Sequence, residues 1–297
     1  AYWSPMTENF RGAFLMVASM AAFVFNDTAV KLLGERLPLF QIMFLRGILT
    51  VMFVAGLCQY FRVWILTLSR QDWTVMAIRS LADIGASFLF LSALFQMPLA
   101  NLTAILQFLP LIIALGAALF FNETLDWRRL SAIIFGFLGM GLIVRPGAEG
   151  FGLYSYYGVG AMFCIALRDL ITRRISNAVP SLLVTFFNAV GILLYSTIAL
   201  LWTDWVPVSA EDVKLLFLAA GFVSFAYWLS VLVMRNGDIS FVAPFRYSGL
   251  LWALLVGYWV FEHFPDGFTL LGAGIIIVSG LYMMWRESKL RRLAQPR

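Results

Sequence analysis

Residues 99–121 read LANLTAILQFLPLIIALGAALFF, a run without a single charged side chain. About 20 apolar residues of helix cross the roughly 30 Å of hydrocarbon in a bilayer, so this run is long enough to span one. Nine further apolar runs fill the chain on either side of it. Those upstream cover 12–33, 39–61 and 73–96. Those downstream cover 127–144, 154–171, 179–202, 212–234, 241–261 and 268–285. In lipid every backbone polar group must be satisfied within the segment or within a closed barrel, and runs of this length read as helices. The expected fold is an all-α membrane protein of ten transmembrane helices.

Composition agrees. Charged residues make up 12% and hydrophobic ones 62%, with mean hydropathy +0.87; soluble domains carry about 25% charged residues. Such a chain has too little polar surface to cover itself in water, so the lipid bilayer is its expected partner. The net charge of +5 does not point to nucleic acid, because the basic residues sit in short connections between runs. Placing the N-terminus inside puts thirteen Lys and Arg on the cytoplasmic side and four outside (Lys31, Arg36, Arg145, Lys214). The positive-inside rule then assigns both termini to the cytoplasm; the membrane is expected to be the inner one. Residues 1–5 precede Met6 and are set aside; no cleavable signal is evident. Cys58 and Cys164 lie within apolar runs, where packing is their expected role. No cofactor, metal cluster or phosphate-binding glycine motif is read.

Several landmarks recur about 140 residues apart. Phe121-Asn122-Glu123 closes the fourth run and Phe261-Glu262-His263 the ninth. Asp27 precedes Pro38 by the interval at which Asp169 precedes Pro180, and Gly139 has a counterpart in Gly280. Five runs per half make the second copy enter the membrane from the opposite side. The halves, residues 6–146 and 152–292, are therefore expected to be inverted repeats. Transporters of that design bind cargo near the midplane, between the repeats.

The residues also carry a family resemblance. Asp27, Pro38 and Arg46 open the first half, followed by Ala100, Leu109-Pro110-Leu111, Glu123, Gly136 and Gly141. Ala243-Pro244, Tyr247, Glu262 and Gly280 mark the second. Each half resembles an EamA domain of the drug/metabolite transporter superfamily, and the closer likeness is to YddG-like exporters of aromatic amino acids. The second half departs from the pattern, with Asn188 in the place of Arg46 and Gly249 in that of Pro110.

Charged groups at membrane depth cost at least about 2.5–3.5 kcal/mol, which makes them the first functional candidates. Asp27 and Arg46 lie at matching depths, about 9 and 12 Å from one face at 1.5 Å per residue. They read as an interhelical ion pair, either a gate or a structural tie, with Lys31 at i+4 competing for the carboxylate. Arg79 and Asp83 share a face of the third run. Asp83 is a candidate for cation coupling or for a cargo amino group, unless the two neutralise each other. Gln107 and Arg246 occupy equivalent places in the two halves. Arg246, between Phe245 and Tyr247, either holds a carboxylate or snorkels to the interface. Phe90, Phe163, Tyr227, Trp228 and Tyr247 are candidates to line a pocket. Arg168 and Asp169 read as marking the end of the sixth run. Pro110 favours a kink or hinge in the fourth.

No nucleophile–base pair appears, so an enzyme is not expected. The reading is a monomeric secondary carrier working by alternating access. The resemblance implies export of amino acids, aromatic ones in particular, and of amphipathic cations. Another metabolite class, a cationic-drug carrier and a passive channel are the alternatives.

Overall fold

A computed structural model describes residues 5–64, 68–121, 126–145, 152–176, 178–235 and 242–294. Asn122, Glu123, Pro146, Phe241 and Arg297 lie outside the described residues. The helices are α1 (Pro5–Gly34), α2 (Leu39–Tyr60), α3 (Arg70–Gln96), α4 (Leu99–Leu106), α5 (Leu109–Phe121), α6 (Trp127–Val144), α7 (Leu153–Thr172), α8 (Ser181–Ala199), α9 (Ala210–Arg235), α10 (Ser248–Phe261) and α11 (Gly267–Ala294). A 3₁₀ turn, Leu200–Trp202, extends α8, and another, Ala243–Tyr247, leads into α10. The fourth run is thus the broken pair α4–α5, and the ninth is the turn plus α10. The chain is an all-α bundle of ten helical segments.

Eight segments among the described residues are long and apolar enough to cross a membrane on those grounds alone. The two that fall short are α7, which carries Arg168 and Asp169, and the interrupted ninth segment. Large apolar side chains such as Trp259, Phe14, Met52 and Val278 stay exposed on the outside of the bundle. Lipid tails cover such groups at no cost. For the same reason helix association in lipid rests on close packing and interhelical hydrogen bonds rather than on the hydrophobic effect.

The packing obeys the expected two-fold relation. Exchanging the halves maps α1 onto α7, α2 onto α8, α3 onto α9 and α6 onto α11. The long interface of α1 with α9 accordingly has its counterpart in α3 with α7, and that of α2 with α9 in α3 with α8. Two interfaces, α2 with α8 and α6 with α11, lie on the axis and map onto themselves. At the latter, a Cβ on Gly139 would lie 2.7 Å from the Gly272 carbonyl oxygen. Only glycine lets the two backbones come so near.

Polar ties repeat as well. Ser69 caps α3, its hydroxyl accepting from the Asp72 amide at 3.0 Å; Ser209 does the same for α9 with Asp212 at 3.1 Å. The Asp72 carboxylate then accepts from the Ser176 amide in the α7–α8 connection, and Asp212 pairs with Arg36 in the α1–α2 connection. Before α6, Asp126 pairs with Arg286 of α11 at 3.0 Å. Before α11, Asp266 pairs with Arg145 at the end of α6. Asp126 and Asp266 are both held below the ordinary carboxyl range, chiefly by their arginines, and Asp266 reaches about 2 with a further bond from Thr269.

Candidate functional site

The two helix breaks position the centre of the molecule. Pro110 has no N–H and its ring would meet the carbonyl of Leu106, so α4 cannot run on into α5. The chain turns through Gln107 and Phe108 instead. In the second half Pro244 stands in the first turn of the Ala243–Tyr247 segment. The breaks bring Gln107 and Arg246 to a common cavity of about 310 Å³. Irregular backbone at membrane depth is tolerated where it lines such a space.

The cavity gathers Asp27, Arg46, Asp83, Phe90, Gln107, Tyr227 and Arg246 from the sequence reading. It also holds Asn26 and Phe23, which the sequence did not single out, and Arg168, which it marked only as a helix end. The Phe23 and Tyr227 rings meet edge to face with centroids 5.6 Å apart. A smaller chamber of about 50 Å³ adjoins it between α2 and α8, lined by Arg46, Thr50, Thr185, Asn188 and Tyr227 among others.

Two polar clusters face this space. In the second half, Arg168 Nη1 donates to Asp83 Oδ1 at 2.6 Å. Its Nε donates to Asp169 at 2.9 Å. Asn188 Nδ2 donates to the second oxygen of Asp83. Asp83 is thus fully engaged, by α7 and α8 rather than by Arg79, which donates to Thr172 Oγ1 at 2.8 Å. Mutual neutralisation within α3, the alternative for Asp83, gives way to an interhelical clamp, because α3 and α7 pack along their length. Arg168 lies about one turn before the end of α7, as expected from the sequence, and is also the centre of that clamp.

In the first half, Asn26 stands between the two groups expected to pair. Arg46 Nη1 donates to Asn26 Oδ1 at 3.3 Å, and Asn26 Nδ2 donates to Asp27 Oδ1 at 2.8 Å. Among the described residues no ion pair within 4.0 Å joins Arg46 or Asp27 to anything. Lys31 does not compete for Asp27. Its ammonium donates to the carbonyls of Leu94 and Met97 at 2.6 Å each, closing the C-terminal end of α3, where cations are favoured.

Three aromatic candidates fall elsewhere. Tyr247 is buried with its ring seated on Gly280, where any side chain would collide with it. Phe163 is exposed on α7. Trp228 packs beside Phe225 with centroids 5.8 Å apart. In each case the side of the helix decides, and apolar periodicity in an all-apolar span does not reveal that side. Among the described residues no group of His, Cys, Asp and Glu is placed to hold a metal ion.

Comparison with known proteins agrees with this architecture. The profile of the EamA-like transporter family matches twice, over residues 10–145 and 153–285. An S-adenosylmethionine uptake transporter of Rickettsia bellii is 28% identical over 278 residues, covering 94% of each chain. A riboflavin transporter of Vibrio cholerae is 32% identical over 217 residues, 71% of this chain and 72% of the relative. A pseudopaline exporter of Pseudomonas aeruginosa is 27% identical, with 89% and 93% covered. One solved crystal structure has TM-score 0.66 at 20% identity, covering 97% of this chain and 99% of its own, which speaks for the fold alone.

Proposed function

The chain belongs to the EamA-like transporter family, and on that premise we propose that it carries a ring-bearing, charged metabolite of the S-adenosylmethionine type. As a member of a transporter family it is not an enzyme. The observation that carries the reading is the near-complete mutual coverage with the S-adenosylmethionine uptake transporters, four of which match at 26–28% identity. The cavity supports it: carboxylates, guanidinium groups and the rings of Phe23, Phe90 and Tyr227 line one space. Aromatic amino acids, expected from the first resemblance, are the cargo of none of the relatives named above. In this reading Gln107 and Arg246 at the helix breaks meet the cargo, and Asp83 with Arg168 ties the helices that rock against each other. Both termini lie in the cytoplasm, the membrane is the inner one, and the carrier works as a monomer.

The test is uptake and counterflow in proteoliposomes of labelled S-adenosylmethionine, riboflavin and phenylalanine. Saturable S-adenosylmethionine uptake, accelerated by unlabelled cargo inside, is the expected result. Riboflavin movement without S-adenosylmethionine movement would replace the proposed cargo, and the 32% identity to the riboflavin transporter makes that the rival arm. A pore would show no acceleration.

A further inference from the structure

We infer that Arg46 is the residue that recognises a carboxylate on the cargo, so that the carrier selects carboxylate-bearing molecules over otherwise similar ones that lack it; this rests on the cargo reading above. The inference starts from the engagement of each arginine at the cavity. Arg168 is closed off by Asp83 and Asp169. Arg246 is itself exposed, so it encloses an anion less than a partly buried arginine does. Arg46 alone of the three is both partly enclosed and without a carboxylate within 4.0 Å among the described residues. It faces both the main cavity and the smaller chamber behind it.

A guanidinium offers five N–H donors in a planar fork. Arg46 spends one of them, on a neutral carboxamide oxygen at the long distance of 3.3 Å. Asn26 also takes up Asp27 Oδ1 through its own amide, which keeps the neighbouring carboxylate from claiming the fork. A cationic side chain left so at membrane depth is costly unless something completes it. A carboxylate bound through two parallel N–H···O bonds completes it, and bidentate pairing of that kind is what arginine supplies and lysine does not. The rings of Phe23 and Tyr227 stand beside it in the same cavity, so a molecule with a carboxylate at one end and a flat ring at the other fits both features at once.

Equilibrium binding to the purified full-length protein in detergent, with S-adenosylmethionine and its decarboxylated analogue, tests this. The wild type is expected to prefer the carboxylated compound at least about tenfold. Arg46→Gln should abolish the preference by weakening the carboxylated compound alone, while Gln41→Ala, away from the cavity, leaves it intact. Arg46→Lys, which keeps the charge and serves if the glutamine variant does not fold, should reduce the preference severalfold. Equal binding of the two compounds by the wild type, or an unchanged preference in either Arg46 variant, would overturn the inference while leaving the cargo reading standing. Binding of riboflavin and of neither adenosyl compound would overturn both.

Discussion

In the first half Asn26-Asp27 on α1 meets Arg46 on α2; in the second half Arg168-Asp169 on α7 and Asn188 on α8 are joined through Asp83 of α3. The positions are equivalent, yet the arginine has moved from the second helix of its half to the first. A further difference goes with it. The register of the Ser69 and Ser209 caps puts Val223 on α9 where α3 has Asp83. The second-half cluster therefore holds an arginine between two carboxylates. The first-half cluster leaves its arginine against a neutral amide. One skeleton repeated twice has become a clamp on one side of the axis and an open guanidinium on the other. An inverted repeat fixes where such groups stand, and the individual side chains decide which is structural and which is available to cargo.

The largest expected effect separates the two clusters directly. Asp83→Ala leaves Arg168 and Asn188 without their shared partner and should cost about 3 kcal/mol, read as thermal unfolding in detergent. Asp27→Ala removes a single acceptor from the Asn26 amide and should cost about 1.5 kcal/mol. Similar losses would mean that the clusters are not different in kind. Next comes the tie at the end of α3. Lys31→Met removes two charge-assisted bonds to carbonyl oxygens and should cost about 2 kcal/mol. In the second half Arg174 stands over the Phe121 ring, and Arg174→Met should cost about 0.5–1 kcal/mol.

Where the halves are alike, the effects should be alike. Ser69→Ala and Ser209→Ala each remove a helix cap worth about 1 kcal/mol, and a clear inequality in unfolding would show that the repeat equivalence of the caps is only geometric. The smallest effect is one of pH. Asp266 is held at about 2 and Asp126 also below its ordinary range, against about 3.9 in an unfolded chain. Their contribution to stability is full above about pH 4 and fades as pH falls through the folded value. Because both groups are partly open to solvent, the effect is modest. Replacing Asp266 by Asn should flatten the acid limb of the unfolding temperature between pH 4 and 2, and salt should shrink the difference.

Much of this was legible in the residues. Span lengths, the odd count per half and the recurring Asp–Pro and glycine landmarks lead to ten helical segments in two inverted sets. Pro110 announced the break that bares Gln107. The cavity collected most of the charged candidates because an ionisable group in a span has few other places to go. Arg168 reads in the sequence only as marking a helix end, because Arg173 and Arg174 follow it closely and a cluster of basic residues reads that way. Tyr247, Phe163 and Trp228 misled because in a span that is apolar on every side, periodicity carries no mark of which face turns inward.

The sequence by itself determined that lipid is the solvent and that the chain is a repeated five-helix unit, because spanning length and hydropathy are local properties of each segment. Which charge meets which was decided only in three dimensions. Asn26 comes between Asp27 and Arg46, and Asp83 passes over the arginine on its own helix for one on α7. Ion pairing depends on distances of a few ångströms between segments far apart along the chain, and those are set by how the helices lean on one another.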